Sequence, residues 1–179
     1  MYEVEVKVRA DLAAVTAALE DADATQLGAV EQADTYYDAP HRDFAARDEA
    51  LRLREERDEA GVDVTMTYKG PLVESASKTR RELETVVADG AVMAAMLEAL
   101  GFSPAATVEK RRRRYEFEGF IVTLDEVTGL GDFVEIEAEA TEDAIEPTRE
   151  RAVEILEEIG LDPAEQIRAS YLELLLEEE

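Results

Sequence analysis

Apolar and polar residues alternate with a period of two along most of the chain. In the first such segment Val4, Val6 and Val8 alternate with charged residues. Successive side chains of a strand point to opposite faces of a sheet, so this spacing predicts a strand with one apolar and one charged face. The pattern recurs, and we predict strands over residues 2–9, 30–37, 51–56, 62–69, 79–87, 107–117, 120–127 and 133–140.

Other segments have helical spacing or turn residues. We predict helices over residues 11–20 and 90–100, and a third that has Pro147 in its first turn and ends at Ile159. A last helix begins at the capping pair Asp162-Pro163 and carries Ile167, Tyr171, Leu174 and Leu175. Residues 58–61 and 118–119 are typical of hairpin turns, and residues 70–77 of a longer loop. The expected fold class is α+β, an antiparallel sheet with helices in a single domain over residues 1–179.

The polar face of these strands carries basic as well as acidic side chains. Its charged stripes are Glu3, Glu5, Lys7 and Arg9; Arg52, Arg54 and Glu56; Lys69; Arg80, Glu82 and Glu84; Lys110, Arg112 and Arg114; Asp125; and Glu135, Glu137 and Glu139. Two interpretations are open. A one-sided sheet can expose its charged face to water, as antiparallel sheets commonly do. Alternatively, eight strands can close into a barrel with the charged stripes inside and the apolar stripes packed outward against helices.

The charge balance favours the closed barrel. The chain has 44 acidic and 19 basic residues, a net charge of -25, so a merely solvated face should be mostly acidic. The stripes nevertheless contain three of the four lysines, with Lys78 just outside, and much of the arginine. We therefore expect a closed eight-stranded antiparallel β barrel with a charged lumen and flanking helices. The same net charge predicts that the molecule repels nucleic acid and anionic membranes.

Enclosed charges indicate what the lumen binds. Buried ions are costly unless they are paired. A nucleotide or inorganic polyphosphate offers many oxygens to Arg and Lys, and paired carboxylates suit Mg or Mn that also bridges phosphates. Cysteine is absent, which leaves hard oxygen ligands as the main metal donors.

Location is inferred from what the sequence lacks. No apolar run is long enough to cross a bilayer, and the first residues do not resemble a signal peptide, so we expect a cytoplasmic protein. Abundant Asp, Glu, Ala and Val with few lysines is typical of cytoplasmic proteins from salt-loving archaea.

Several charged motifs follow one another along nearly the whole chain. The strongest is Glu-x-Glu-x-Lys at Glu3-Val4-Glu5-Val6-Lys7. The others are Gln32-Ala33-Asp34-Thr35-Tyr36-Tyr37-Asp38, Leu51-Arg52-Leu53-Arg54, Thr67-Tyr68-Lys69-Gly70, Arg80-Arg81-Glu82-Leu83-Glu84, Lys110-Arg111-Arg112 and Leu130-Gly131-Asp132-Phe133-Val134-Glu135-Ile136-Glu137. In this order the motifs resemble those of the CYTH superfamily, the triphosphate tunnel metalloenzymes.

This resemblance implies roles for the charged residues. Glu3, Glu5 and Lys7 would be catalytic. The divalent metals, Mg or Mn, would be held by Glu3, Glu5, Glu135 and Glu137, with Glu82, Glu84 and Asp125 assisting. The triphosphate would be bound by Lys7, Arg52, Arg54, Lys69, Arg80, Lys110 and Arg112. Alternation places Arg111 and Arg113 on the opposite face, as a surface cluster, and leaves Arg114 open.

The resemblance leaves three functions open. The segment from Pro40 to Phe44 is similar to archaeal proteins grouped with class IV adenylyl cyclases, which implies conversion of ATP to 3',5'-cyclic AMP and pyrophosphate. The alternative is a triphosphatase that hydrolyses tripolyphosphate, ATP or thiamine triphosphate. The third is a nucleotide or polyphosphate binder without turnover, which does not need both glutamate pairs. A homodimer would follow from the habit of the family alone.

Overall fold

The computed structural model describes residues 1–178. Its strands are β1 (Tyr2–Arg9), β2 (Thr25–Asp38), β3 (Ala50–Arg57), β4 (Val62–Leu72), β5 (Lys78–Val86), β6 (Ser103–Phe117), β7 (Phe120–Val127) and β8 (Gly131–Ala140). Its α-helices are α1 (Leu12–Asp21), α2 (Gly90–Ala99), α3 (Ile145–Glu158) and α4 (Tyr171–Glu177). Short 3-10 helices occupy Ala45–Arg47, Glu142–Ala144 and Pro163–Glu165.

The strands form a closed antiparallel barrel in the order β1-β5-β4-β3-β2-β6-β7-β8. Pairing of β1 with β8, from Tyr2 opposite Ala140 to Arg9 opposite Phe133, completes the ring. Most residues of the charged stripes therefore face an enclosed lumen, and the inward interpretation of the sequence is confirmed. Arg9 and Glu139, at the ends of their stripes, are exposed instead.

The apolar stripes face outward beneath the helices. Val6, Val134 and Ile136 are fully buried in one cluster with residues of α1 and α3 such as Leu19 and Ile155. A second outer cluster packs α2 against the β3 and β4 side of the barrel. The hydrophobic core thus lies between sheet and helices, which leaves the lumen free for charge. No helix among residues 1–178 has both the length and the apolar character that a bilayer crossing requires.

Two strands begin four or five residues before the alternation predicts. β2 begins at Thr25 and β6 at Ser103, because the two strands pair from Thr25 opposite Glu116 to Asp38 opposite Ser103. The register shifts beside Gly28, which adopts a positive φ of 118°. Residues before Val30 are largely exposed, so their pairing depends on backbone hydrogen bonds and leaves no alternating pattern.

The predicted last helix was wrong in its start. Asp162 caps only the 3-10 turn Pro163–Glu165, accepting a hydrogen bond from the Ala164 amide. The chain then runs along β1, where the Ile167 amide donates to the Lys7 carbonyl oxygen at 2.7 Å. This backbone bond interrupts helical geometry, and α4 starts only at Tyr171, behind a capping box made by Ser170 and Glu173.

The predicted loop over residues 70–77 is shorter than expected and tied down. β4 continues to Leu72, whose amide donates to the Asp48 carboxylate at 2.7 Å. Beyond it, the Glu74 carboxylate accepts from Arg149 at 2.5 Å, and Arg168 donates to the Glu74 carbonyl oxygen at 2.9 Å. These bonds link the loop to α3 and to the C-terminal segment.

Candidate functional site

The lumen contains a cavity of about 420 Å³ that brings most of the predicted site residues together. Its charged lining consists of Glu3, Glu5, Arg52, Arg54, Lys69, Lys78, Arg80, Glu82, Glu84, Lys110, Arg112, Arg114, Glu135 and Glu137, together with Asp38, Asp48, Glu49 and Glu173. Lys7 and Asp125 lie in the barrel wall beside this lining, and both are fully buried.

Three carboxylates from two neighbouring strands form a candidate metal site. Glu5 lies opposite Glu137 across the β1–β8 pair, and Glu3 follows on the same face of β1. One carboxylate oxygen from each of the three lies within 4.8 Å of the others. We call Glu3, Glu5 and Glu137 the carboxylate trio.

The trio carries negative charge that its protein neighbours do not fully offset. Burial raises the pKa of Glu137 to about 7; Arg112 lowers this pKa, whereas Glu135 and Glu5 raise it. Burial also holds the pKa of Glu3 well above its usual range, although Lys69 opposes this shift. A divalent cation would offset this charge, and clustered carboxylate oxygens are the ligands that Mg and Mn prefer. The residues present therefore fit the predicted metal.

The remaining predicted metal ligands are bound to protein partners. Glu135 accepts from the Arg112 guanidinium at 2.8 Å, and Asp125 accepts from the same side chain through both carboxylate oxygens, at 2.7 and 2.5 Å. Glu82 accepts a hydrogen bond from Lys69, and Glu84 accepts one from the Thr67 hydroxyl at 2.7 Å. The structure does not bring these four carboxylates into the trio, and their part in metal binding stays a prediction.

The pKa of Glu135 is shifted in the opposite direction from the pKa values of Glu3 and Glu137. Burial raises its pKa, but Arg112 and Lys7 outweigh burial and hold the pKa of Glu135 well below its usual range. Glu135 is therefore ionised at neutral pH and pairs with cations. Glu137, two residues along the same strand, has a pKa of about 7.

The opposite wall is a cradle of cations organised by one buried aspartate. Asp34 of β2 accepts two hydrogen bonds from Arg54, at 2.6 and 2.7 Å. Arg52 and Lys110 each approach the same carboxylate at 3.5 Å. Burial raises the pKa of Asp34, but these three cations outweigh burial and lower it far below its usual range. The sequence-based prediction gave Asp34 no role, although the alternation along β2 places its side chain on the face that points into the lumen.

The predicted position of Lys78 was wrong. It was placed outside the charged stripes, yet it lines the cavity and its ammonium group donates to Glu5 at 3.3 Å. β5 begins at Lys78, and Lys78 shares the inward period with Arg80. The two-residue spacing between Lys78 and Arg80 could have identified Lys78 as inward-facing. It was missed because the predicted strand began at residue 79.

The arginines of β6 divide between the two faces as alternation predicts. Arg111 has 75% of its side chain exposed and pairs with Glu31 at 4.0 Å. Arg113 also lies outside the lumen, where it donates to the Thr16 hydroxyl at 3.0 Å. Arg114, which the sequence left open, lines the cavity and forms two hydrogen bonds with Glu56, at 3.1 and 2.7 Å.

Two lysines at one end of the lumen have few carboxylate partners. Lys7 Nζ is 3.9 Å from a Glu135 oxygen and has no hydrogen-bond partner among residues 1–178. Burial lowers the pKa of Lys7 to about 8, and that of Lys110 to about 7. Buried cations with unused donors are suited to an anionic ligand.

Part of the cavity wall is apolar. This apolar wall comes from β3, the start of β6, the 3-10 turn after β2, and α4, and it consists of Leu51, Ala105, Ala106, Phe44, Ala45, Leu172 and Leu176. The cavity therefore offers cations for phosphates, carboxylates for a metal and apolar surface for an organic group.

Comparison with known proteins shows the family. Residues 1–171 match the CYTH domain. The chain is 36% identical over 176 residues to a protein of Methanocaldococcus jannaschii named as a candidate adenylate cyclase, a match that covers 97% of this chain and 98% of the relative. The solved structure of PH1819 from Pyrococcus horikoshii has a TM-score of 0.92 and 39% identity, over 99% of both chains.

A more distant structure has the same fold. A Hippeastrum protein, described as a candidate adenylyl cyclase with a dominant triphosphatase activity, has a TM-score of 0.72 and 20% identity, covering 99% of this chain and 96% of its own. At that identity the likeness shows the fold alone. The match over residues 1–171 and the 36% identical relative are sufficient to assign the family: this chain belongs to the CYTH domain family.

Proposed function

We propose that this protein is a metal-dependent enzyme that converts ATP to 3',5'-cyclic AMP and pyrophosphate in its barrel lumen. The observation that carries the proposal is the position of the carboxylate trio and the cation cradle around a single cavity. Cations and metal ligands facing one volume are what a triphosphate with a bound divalent metal requires.

The two walls have different roles in this proposal. Glu3, Glu5 and Glu137 hold Mg or Mn, which supplies charge neutralisation at the phosphates. The arginines and lysines of the cradle bind and orient the phosphate oxygens, and Arg suits two-pronged contacts whereas Lys acts as a point charge. Burial strengthens these interactions, because few water molecules compete for the same donors.

The apolar wall supports an organic triphosphate as substrate. Inorganic tripolyphosphate has no group that would gain from Phe44, Leu172 or Leu176, whereas a nucleoside has a flat base to bury there. The candidate cyclase named in Methanocaldococcus jannaschii supports the same choice.

A triphosphatase is the second candidate function. The cradle and the trio suit any triphosphate, and they do not by themselves select the α-phosphate over a terminal phosphate. The triphosphatase activity described for the Hippeastrum protein shows that this fold accommodates hydrolysis. A binder without turnover is disfavoured by the intact trio, because binding alone does not need a full set of metal ligands.

Product analysis tests the proposal. Purified protein is incubated at high salt with ATP and either Mg or Mn, beside a parallel reaction with tripolyphosphate, and the products are separated by chromatography. We expect cyclic AMP and pyrophosphate from ATP. Free phosphate without cyclic AMP would replace the cyclase by a triphosphatase, and unchanged ATP and tripolyphosphate with tight binding would indicate a binder.

A further inference from the structure

We propose that Tyr171, the first residue of α4, is a positioning residue for lumen cations that bind the phosphates. Its ring holds the ammonium groups of Lys7 and Lys110 in place, and its hydroxyl fixes the carboxylate that orients Arg112. The inference rests on the proposed function and adds to it a residue from outside the barrel strands.

Tyr171 reaches the lumen from the C-terminal helix. Its side chain is buried at one end of the barrel, where its ring meets the edge of Phe133 with 5.0 Å between ring centroids. Val108, Val127 and Leu130 complete this buried cluster, and leucines of α4 pack against it. The ring is therefore held rigidly, with one side toward the charged lumen.

Two lysines lie over this ring. Lys7 Nζ is 4.3 Å from the ring centroid and Lys110 Nζ is 5.1 Å from it. A cation over an aromatic face is attracted to the ring without donating a conventional hydrogen bond. A carboxylate in the same place would occupy the N–H donors, and Lys has three of them. The ring thus fixes the ammonium groups while Lys7 makes no hydrogen bond within residues 1–178 and Lys110 makes one, at 3.5 Å, to Asp34. The remaining N–H donors of both lysines can therefore bind phosphate oxygens.

The hydroxyl of Tyr171 supports the neighbouring guanidinium. It donates to Asp125 at 2.8 Å, and Asp125 in turn binds Arg112 through both carboxylate oxygens. Arg112 also donates to Glu135 at 2.8 Å. Because all members of this chain are buried, loss of the hydroxyl would leave Asp125 with one donor fewer and loosen the orientation of Arg112.

A purely structural role is the competing explanation, since any buried residue of α4 fastens the helix to the barrel. Leu175 provides the matched control. It lies on the same helix and packs in the same apolar cluster, but it does not line the cavity. A fastening role predicts the same loss of ligand affinity from Leu175→Ala as from a change at Tyr171.

Calorimetric titration with tripolyphosphate at fixed Mg and salt separates the two explanations. We expect Tyr171→Leu to weaken binding about tenfold or more, Tyr171→Phe about twofold to threefold, and Leu175→Ala less than about twofold, with unfolding temperatures measured for each. Equal losses for Tyr171→Leu and Leu175→Ala would overturn the proposal, as would wild-type affinity in Tyr171→Leu.

Fluorinated phenylalanines at position 171 keep the test decisive if Tyr171→Leu does not fold. Each added fluorine reduces the negative charge of the ring face while the ring keeps its shape, so affinity should fall stepwise with fluorine number. A flat series would overturn the proposal and leave the proposed function intact. A wild-type protein that binds neither tripolyphosphate nor ATP would instead remove the proposed function together with this inference.

Discussion

At the scale of single residues, neighbouring charges give chemically identical side chains of the lumen very different pKa values. Glu135 and Glu137 are two residues apart on β8, where Glu135 is buried and Glu137 is half-buried. Arg112 and Lys7 keep Glu135 ionised, whereas burial beside Glu135 and Glu5 raises the pKa of Glu137 to about 7. One carboxylate therefore neutralises cations, and the other remains available to a metal.

Metal binding is expected to depend on pH through Glu137. The folded-state pKa of about 7 lies above the ordinary 4.5, so the metal-free fold binds this proton more tightly than the unfolded chain does. Its stability therefore falls as pH rises from 4.5 to 7, and the whole penalty is present above 7. A metal removes the penalty, so we expect Mn to raise the unfolding temperature more at pH 8 than at pH 5.5. Calorimetric scans with and without Mn measure this, and equal metal-induced shifts at both values would contradict it.

Glu5→Gln tests the carboxylate trio. The substitution keeps the shape of the side chain but removes the charge that a divalent cation needs, so we expect metal-dependent turnover to fall by at least about 100-fold with the fold retained. Glu139→Gln is the control, because Glu139 continues the same stripe of β8 at an exposed position outside the cavity lining. Turnover assays and circular dichroism give the two readouts. Normal turnover in Glu5→Gln would remove this residue from the metal site.

At the scale of elements, each strand of the barrel separates two environments. β6 shows this over adjacent positions, since Arg112 is buried in the lumen while Arg111 has 75% of its side chain in solvent. The period of two converts a one-residue step in sequence into a change from ligand-facing to water-facing. The function of a basic residue in β6 thus depends on which face of the strand its side chain points to.

Arg54→Ala tests the inward face of β3. Asp34 keeps Arg52 and Lys110 as partners in this variant, so the fold should survive. We expect tripolyphosphate to bind about tenfold or more weakly, because a charged two-pronged donor is lost from the cradle. Arg111→Ala is the matched control, with an unchanged affinity expected from an exposed pair. Calorimetric titration of both variants measures the difference, and equal losses would mean that the cradle does not bind the phosphates.

At the scale of the whole molecule, the charge distribution opposes the folded state. The net charge is -25, although many of the basic residues lie inside the lumen rather than on the surface. Acidic side chains therefore face solvent with few cations between them, and their mutual repulsion is strongest at low ionic strength.

Salt should stabilise this protein. We expect its unfolding temperature to rise as KCl increases from about 0.1 M to about 2 M, because the screening length falls from about 10 Å to less than 3 Å over this range. Differential scanning calorimetry across a KCl series measures the effect. An unfolding temperature that stays constant or falls would show that surface repulsion does not limit stability.

The sequence alone predicted the strand number and the faces of most strands, and its charge balance favoured a closed barrel over a one-sided sheet. Period-two alternation is a local property, because the direction of a side chain from a strand follows from backbone geometry. For the same reason Lys7, Arg52, Lys69 and Glu137 could be assigned to one face before any contact was known. The Glu-x-Glu-x-Lys segment added the family.

Only the tertiary structure decided which of these charges meet. The register of β1 against β8 and β5 selects Glu3, Glu5 and Glu137 as neighbours and brings Lys78 to Glu5. The partners of Asp34 come from three strands, and Tyr171 enters the lumen from a helix whose start depends on a backbone bond to Lys7. Such contacts join residues far apart in sequence, and their energies depend on burial and distance, which no local pattern contains.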